Sequence, residues 1–226
     1  MALLLPDGEP VSGRGPSPLA HAAALPLARR LVREGRDEGL VAHVVRYGGR
    51  GWNGPDARLA ADAAWAASEV VRRYGDVPVC LVGRGMGGRA ALRAAGHTAV
   101  NSVLALAPWL PEEDVAATPE PVKQLGGRHV LIVHGTNDER TDPELSYRLA
   151  ERAKKANRDT CRFEVHSDGH ALRDHHAEVV ALACDFVLGA LFGRPYSRPV
   201  ADALAAPPPL GLRMPLAAGF ARALRG

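Results

Sequence analysis

The sequence predicts a three-layer α/β/α sandwich on a mostly parallel sheet. Short apolar runs rich in β-branched residues alternate with longer segments of helical periodicity. Each strand-like run closes on turn-forming residues such as Pro6-Asp7-Gly8 or Gly48-Gly49. Such alternation implies a parallel sheet covered by helices on both faces.

The first strand spans Ala2 to Leu5, and helical periodicity follows from Leu19 to Glu34. Leu40 to Tyr47 (LVAHVVRY) is the second strand, with a helix over Asp56 to Tyr74. Val77 to Val82 is a strand, Met86 to Ala95 a helix, and Ser102 to Ala107 a strand stopped by Pro108. The strand His129 to Val133 precedes a helix opened by Pro143 and closing near Lys155. Cys161 to His166 alternates as a strand does, and Glu178 to Leu188 is the last strong helix. There are no internal repeats. Residues 1–192 form one domain. Beyond them Pro195, Pro199, Pro207, Pro208, Pro209 and Pro215 interrupt the chain. Residues 193–226 therefore read as a tail, partly disordered or wrapped on the surface, in which Leu216 to Leu224 could form a short amphipathic helix.

The chain has 226 residues, 46% of them apolar, enough for one sizeable core. Only Lys123, Lys154 and Lys155 are lysines, so arginine carries most of the positive charge, and the net charge is +3. The arginines are scattered among acids, which argues against a nucleic-acid groove. No run is long enough to span a membrane, and Met1 to Leu5 is too short for a signal peptide. Cys80, Cys161 and Cys184 each lie in an apolar segment, as buried free thiols of a reducing compartment would. The expected location is the cytoplasm and the expected partner a small-molecule substrate or ligand. The oligomeric state is open.

The strand VPVCLV runs into Gly83-Arg84-Gly85-Met86-Gly87-Gly88 and then a helix. The stretch fits a dinucleotide fingerprint through Gly83, Gly85 and Gly88. It also fits the nucleophile elbow G-x-S-x-G, with Gly85 in the serine position. A dinucleotide site needs an acid at the end of the next strand, but SVLALA ends at Pro108-Trp109 and Glu112 comes too late. The elbow requires an acid and then a histidine further on. Both are present: HVLIV leads into His134-Gly135-Thr136-Asn137-Asp138, and CRFEVH into Ser167-Asp168-Gly169-His170. Gly85, Asp138 and His170 all fall just past the carboxyl ends of strands, where open α/β sheets build their sites.

Together GRGMGG, LALAPW, HGTNDERTDP and SDGHAL make residues 2–192 resemble the α/β-hydrolase superfamily, most closely its small, lidless, dienelactone-hydrolase-like members. The resemblance implies an α/β-hydrolase fold without a lid domain and a carboxylic ester or lactone hydrolase, with Asp138 as triad acid and His170 as triad base. It implies oxyanion donors from the backbone N–H of Met86 and from the Pro6-Asp7-Gly8 turn. The departure is Gly85, which has no Oγ and cannot form an acyl-enzyme. Ser102, Ser146 and Ser167 are not placed to replace it, and Cys80 reads as core.

Arg50, Trp52 and Trp109 are candidates for the substrate pocket, Arg50 having a surface role as its simpler reading. His134 reads as shaping the turn before Asp138, Asp138 alone could be a turn residue, and His170 alone could cap a helix. His166, His170, His175 and His176 with Asp168 and Asp174 show no clean ligand pair on one helical face, so neither metal nor cofactor is expected. Three functions remain: a hydrolase that works without serine, an inactive pseudoenzyme that binds or scaffolds, and a serine hydrolase seen through an altered chain. The motif order predicts Asp138 and His170 within hydrogen-bond reach, with Gly85 beside His170. It also predicts that Gly85→Ser creates esterase activity.

Overall fold

The computed structural model describes residues 1–111 and 119–223. In chain order the elements are β1 (Ala2–Leu5), α1 (Pro18–Glu34), β2 (Ala42–Val44), α2 (Arg58–Tyr74), β3 (Val79–Arg84), α3 (Met86–Ala94) and β4 (Val100–Leu106). There follow β5 (His129–Gly135), α4 (Pro143–Ala156), β6 (Thr160–Val165), α5 (His176–Phe192), α6 (Arg198–Ala205), β7 (Met214–Pro215) and α7 (Phe220–Ala223). Helix ends follow local chemistry. The Ser17 hydroxyl accepts from Ala20 N–H at the start of α1, and the Asp142 carboxylate from Glu144 N–H at the start of α4, where Pro143 needs no donor of its own.

Among the described residues the seven strands are all parallel, in the order β2-β1-β3-β4-β5-β6-β7. Alternation along the strands sorts side chains to two faces. Leu3, Leu81, Val103 and Ile132 pack with α2, α3 and α4, whereas Leu4, Val82, Leu104 and Val133 pack with α1 and α5. The sandwich is thus three layers deep, and among the described residues no inserted domain covers the strand ends. Glu112 lies outside the described residues.

The order of strands positions the site. From β1 the chain moves to β2 on one side, and β3 returns to the other side of β1. The loops leaving β1 and β3 therefore diverge toward opposite faces, leaving a crevice at this switch point. Asp7 follows β1 and Gly85 follows β3.

The structure shortens one expected strand, Leu40 to Tyr47. Strand β2 is only three residues long. After Gly193 the described chain continues as α6, which packs on the sheet, and as β7, which pairs with β6 as the seventh strand. Leu212 is buried with the α2–α4 side, while Val200, Leu216 and Phe220 are buried with the α1–α5 side, so the segment wraps the β6 edge. The expected helix over Leu216 to Leu224 is one turn, α7, and Leu224 itself is outside the described residues. Leu212→Ala should lower stability by about 2–5 kcal/mol, as for other fully buried leucines. A shift of the urea midpoint at unchanged slope measures it, and a disordered tail would show none.

Candidate active site

The turn from β3 into α3 is sharp because three glycines permit it. A Cβ on Gly83 would overlap the Gly87 carbonyl oxygen, and one on Gly87 would overlap the Leu5 carbonyl oxygen. Between them Gly85 has φ 54° and ψ −121°, a region strained for side-chain-bearing residues. This is the backbone of an elbow that lifts its central residue above the sheet, with Met86 N–H pointing at whatever sits there.

A carboxylate sits there. Asp7 Oδ1 accepts hydrogen bonds from the backbone N–H groups of Met86 and Gly8, each at 2.8 Å. A Cβ on Gly85 would overlap Asp7 Oδ1 and stand 2.6 Å from the carboxyl carbon. The space that a side chain at position 85 would occupy is therefore filled by Asp7. The sequence leads one to expect the 6–8 turn to donate to an oxyanion; instead, two such donors already hold an anionic oxygen of the protein itself. Burial opposes ionisation of Asp7, but the His170 ring and the two N–H donors outweigh it and hold the carboxyl below its ordinary range.

Asp138 and His170 come together from the ends of β5 and β6. His170 donates Nδ1–H to Asp138 Oδ2 at 2.8 Å. Asp138 Oδ1 accepts from the backbone N–H groups of Arg140 and Thr141, at 2.8 and 3.1 Å. Asp138 Oδ2 also accepts from His134 Nε2 at 3.0 Å, and His134 Nδ1 lies 2.8 Å from the Ser146 hydroxyl, to which Arg162 Nε donates. Despite its burial, this set of donors keeps Asp138 far below the usual carboxylate range. Burial, only partly offset by Asp138, lowers His134 and keeps it neutral near pH 7.

The far nitrogen of His170, Nε2, is buried with no hydrogen-bond partner among the described residues. It faces Asp7 Oδ2 across 3.9 Å, which is an electrostatic contact rather than a hydrogen bond. Burial depresses the His170 pKa, but Asp138 and Asp7 outweigh it and raise the pKa to about 8. Arg140 lies 3.9 Å from the same Asp7 oxygen on the solvent side.

Two cavities open beside Asp7. One, of about 320 Å³, runs beneath α1 and α5 and is walled by residues such as Leu27, Val179 and Ala183, with Arg84 in its lining. The other, of about 230 Å³, is lined by Tyr47 and Arg50. Arg50 is held there by Glu9 and by the Gly15 carbonyl. Trp52 is not at a pocket mouth. It is 3% exposed in the α2–α3 core, with the Arg89 guanidinium 4.1 Å above its ring. The Trp109 ring flanks the same guanidinium, and its backbone N–H donates to the Gly85 carbonyl, so the residue braces the elbow from behind. Cys80, Cys161 and Cys184 are buried free thiols, which burial pushes up to about 12, 12 and 11.

Sequence reasoning missed the Asp7 carboxylate and the pairing of His134 with Asp138. The one available signal for Asp7 was an acid placed immediately after the strand that neighbours the elbow strand.

No protein-family model and no curated protein matches the chain in sequence. Solved structures do match in fold. An esterase of Pyrococcus furiosus is 13% identical with a TM-score of 0.62, the alignment covering 84% of this chain and 81% of the esterase. A lidless α/β serine hydrolase of Xanthomonas campestris is 18% identical with a TM-score of 0.61, covering 86% and 83%. A Thermus thermophilus protein is 19% identical with a TM-score of 0.61, covering 85% and 90%. The architecture is the α/β-hydrolase fold without a lid. Among the described residues, no helix is long and apolar enough to cross a membrane.

Proposed function

We propose that the protein is a hydrolase that works without a serine, adding water to a small molecule with Asp138 and His170 as its proton-transfer pair. The observation that supports this most is the buried, unpartnered Nε2 of His170, which faces the elbow while Nδ1 is fixed by Asp138. The carboxylic ester or lactone class follows from the motif resemblance, including its dienelactone-hydrolase-like form. Against that class stands the Asp7 oxygen, which takes the N–H groups an ester oxyanion would need. The same occupancy favours a second reading, a binding protein whose catalytic centre is closed. A panel of activated esters and lactones, assayed with the parent and with His170→Ala, separates them. A His170-dependent loss of about 10²–10⁴-fold supports the hydrolase, while identical background rates from both proteins favour the binding protein.

A reaction that uses His170 as base should show pH dependence. With its pKa raised to about 8, the imidazole is largely protonated at neutrality, so the rate should rise through about pH 8 and level above it. The charged groups facing His170 are Asp138, Asp7 and Arg140, with neutral His134 behind Asp138. Asp7→Asn removes one of the two carboxylates, so the rising limb of the remaining activity should move to lower pH. A limb that stays in place would show that Asp7 does not act on the ring. The raised pKa also contributes stability that is complete below about pH 6.5 and is lost as pH rises through about 8.

A further inference from the structure

We infer that Asp7 is the nucleophile of this site and that its substrates are small apolar molecules carrying a leaving group on a saturated carbon. The inference rests on the hydrolase reading above and names its substrate class. The two carboxylate oxygens of Asp7 are differentiated. Oδ1 is held by Met86 N–H and Gly8 N–H, both at 2.8 Å, whereas Oδ2 faces His170 Nε2 with no hydrogen bond given to it. The side chain is 27% exposed, so a substrate can reach the carboxylate. One oxygen is thus held where negative charge can be stabilised, and the other is available for attack beside a base.

The chemistry of a carboxylate selects the electrophile. Attack on an ester carbonyl would give a mixed anhydride by expelling an alkoxide, a poorer leaving group than the attacking carboxylate. Attack on a saturated carbon gives an ordinary ester, which is stable enough to form and can still be hydrolysed. The cavity of about 320 Å³ next to Asp7 has apolar walls and lies at the small end of ligand pockets. Arg84, which donates to the Ala171 carbonyl at 2.9 Å, lines it and places a cation near a departing anion. The Tyr47 hydroxyl, buried and without a partner among the described residues, lines the second cavity beside Asp7 and offers a neutral donor.

In the first step an Asp7 Oδ2 lone pair forms the C–O bond as the bond to the leaving group breaks. A halide leaves with the bonding pair. An epoxide oxygen leaves attached to the neighbouring carbon and takes the proton of His170. In the second step neutral His170 takes a proton from water, and the hydroxide adds to the Asp7 carboxyl carbon. The resulting negative charge lies on Oδ1, under the N–H groups of Met86 and Gly8. Collapse breaks the bond between the carboxyl carbon and the alkyl oxygen, which leaves as the alcohol with the proton held by His170. Asp7 is then a carboxylic acid. Its proton returns to His170 after an epoxide, or goes to solvent after a halide. The net change is R–X plus water to R–OH plus H⁺ and X⁻, or epoxide plus water to diol.

The test uses 1,2-epoxyhexane and 1-bromohexane with the full chain. In single turnover in ¹⁸O-water, the first product should carry unlabelled oxygen from Asp7, and the protein should gain one heavy oxygen that peptide mapping places on Asp7. Label found only in the product would overturn the inference. With 1-bromohexane, whose first step needs no proton, His170→Gln should accumulate an alkyl adduct on Asp7, visible by intact mass. Asp7→Asn keeps an acceptor oxygen for Met86 and Gly8 and should lose turnover on the order of 10³-fold without an adduct. An adduct on another residue, or no turnover of either probe by the parent, would also overturn the inference. Activity on epoxide but not bromide, or the reverse, identifies the leaving group within the class. If His170-dependent hydrolysis of esters or lactones survives Asp7→Asn while both alkyl probes are inert, the nucleophile assignment fails and the hydrolase reading stands. If the ester panel also shows no dependence on His170, both fail.

Discussion

Gly85→Ser in the otherwise unchanged chain should turn over p-nitrophenyl acetate no faster than the parent, whereas Gly85→Ser combined with Asp7→Ala should exceed it by at least about 10²-fold. That gain is a fraction of the roughly 10⁶ that a triad serine is worth. The motifs alone lead one to expect the single change to suffice; the contact between positions 85 and 7 argues against it. A side chain at position 85 overlaps the Asp7 carboxylate, and that carboxylate holds the Met86 and Gly8 donors that an ester oxyanion requires. In the single variant the new hydroxyl and the old carboxylate compete for one space. The serine also costs about 1–3 kcal/mol of backbone strain at φ 54°. Removing Asp7 frees the donors and leaves Asp138 and His170 facing the new hydroxyl. The measurement is steady-state turnover of the parent, both variants, and the double variant with His170→Ala. A single variant as fast as the double would show that Asp7 yields the hole freely.

Glu120→Ala should be the most destabilising single change in the ionic network, by about 3–5 kcal/mol. Glu120 is 6% exposed, and its two carboxylate oxygens accept from Arg89 Nε at 2.9 Å and Arg93 Nε at 2.7 Å. Removing the acid leaves Arg89 buried between Trp52 and Trp109 without its counter-charge. Because Arg89 lies in the helix that opens at the elbow, the loss should loosen the site as well as the fold. Thermal or urea unfolding checks the magnitude. The exposed pair Arg198–Asp202, at 3.6 Å, serves as the control and should contribute about 0.5 kcal/mol or less. Equal effects at the two places would mean that the Glu120 network is solvated.

The fold was legible because its determinants are local. Runs such as LVAHVVRY and HVLIV specify buried parallel strands by composition, and Pro143 or the Gly83–Gly87 spacing punctuates them. Strand β7 was not legible, since two residues, one of them proline, make no periodic signal; its place comes from pairing with β6 and from Leu212 and Leu216 turning inward on either side. The pair Asp138 and His170 was legible from motif order, because strand ends in such sheets converge. The placement of the Asp7 side chain was not: its contact with Met86 spans 79 positions and exists because β1 and β3 are neighbours whose loops start side by side at the switch point. Trp52 misled for a related reason. An aromatic after a strand suggests a pocket mouth, but stacking under Arg89 draws it into the core.

The overlap between positions 85 and 7 should make them an epistatic pair. Serine at 85 is compatible with a small residue at 7, and glycine at 85 with aspartate at 7. Of the mixed states, serine with aspartate is sterically crowded, and glycine without aspartate has no nucleophilic side chain at either position. If Asp7 is the nucleophile, any stepwise route between the two compatible states should cross a poorly active sequence, whichever position changes first. A saturation library at both positions should show two separate islands of activity rather than one ridge. Each island should have its own substrate preference, with acyl compounds on the serine side and alkyl compounds on the aspartate side.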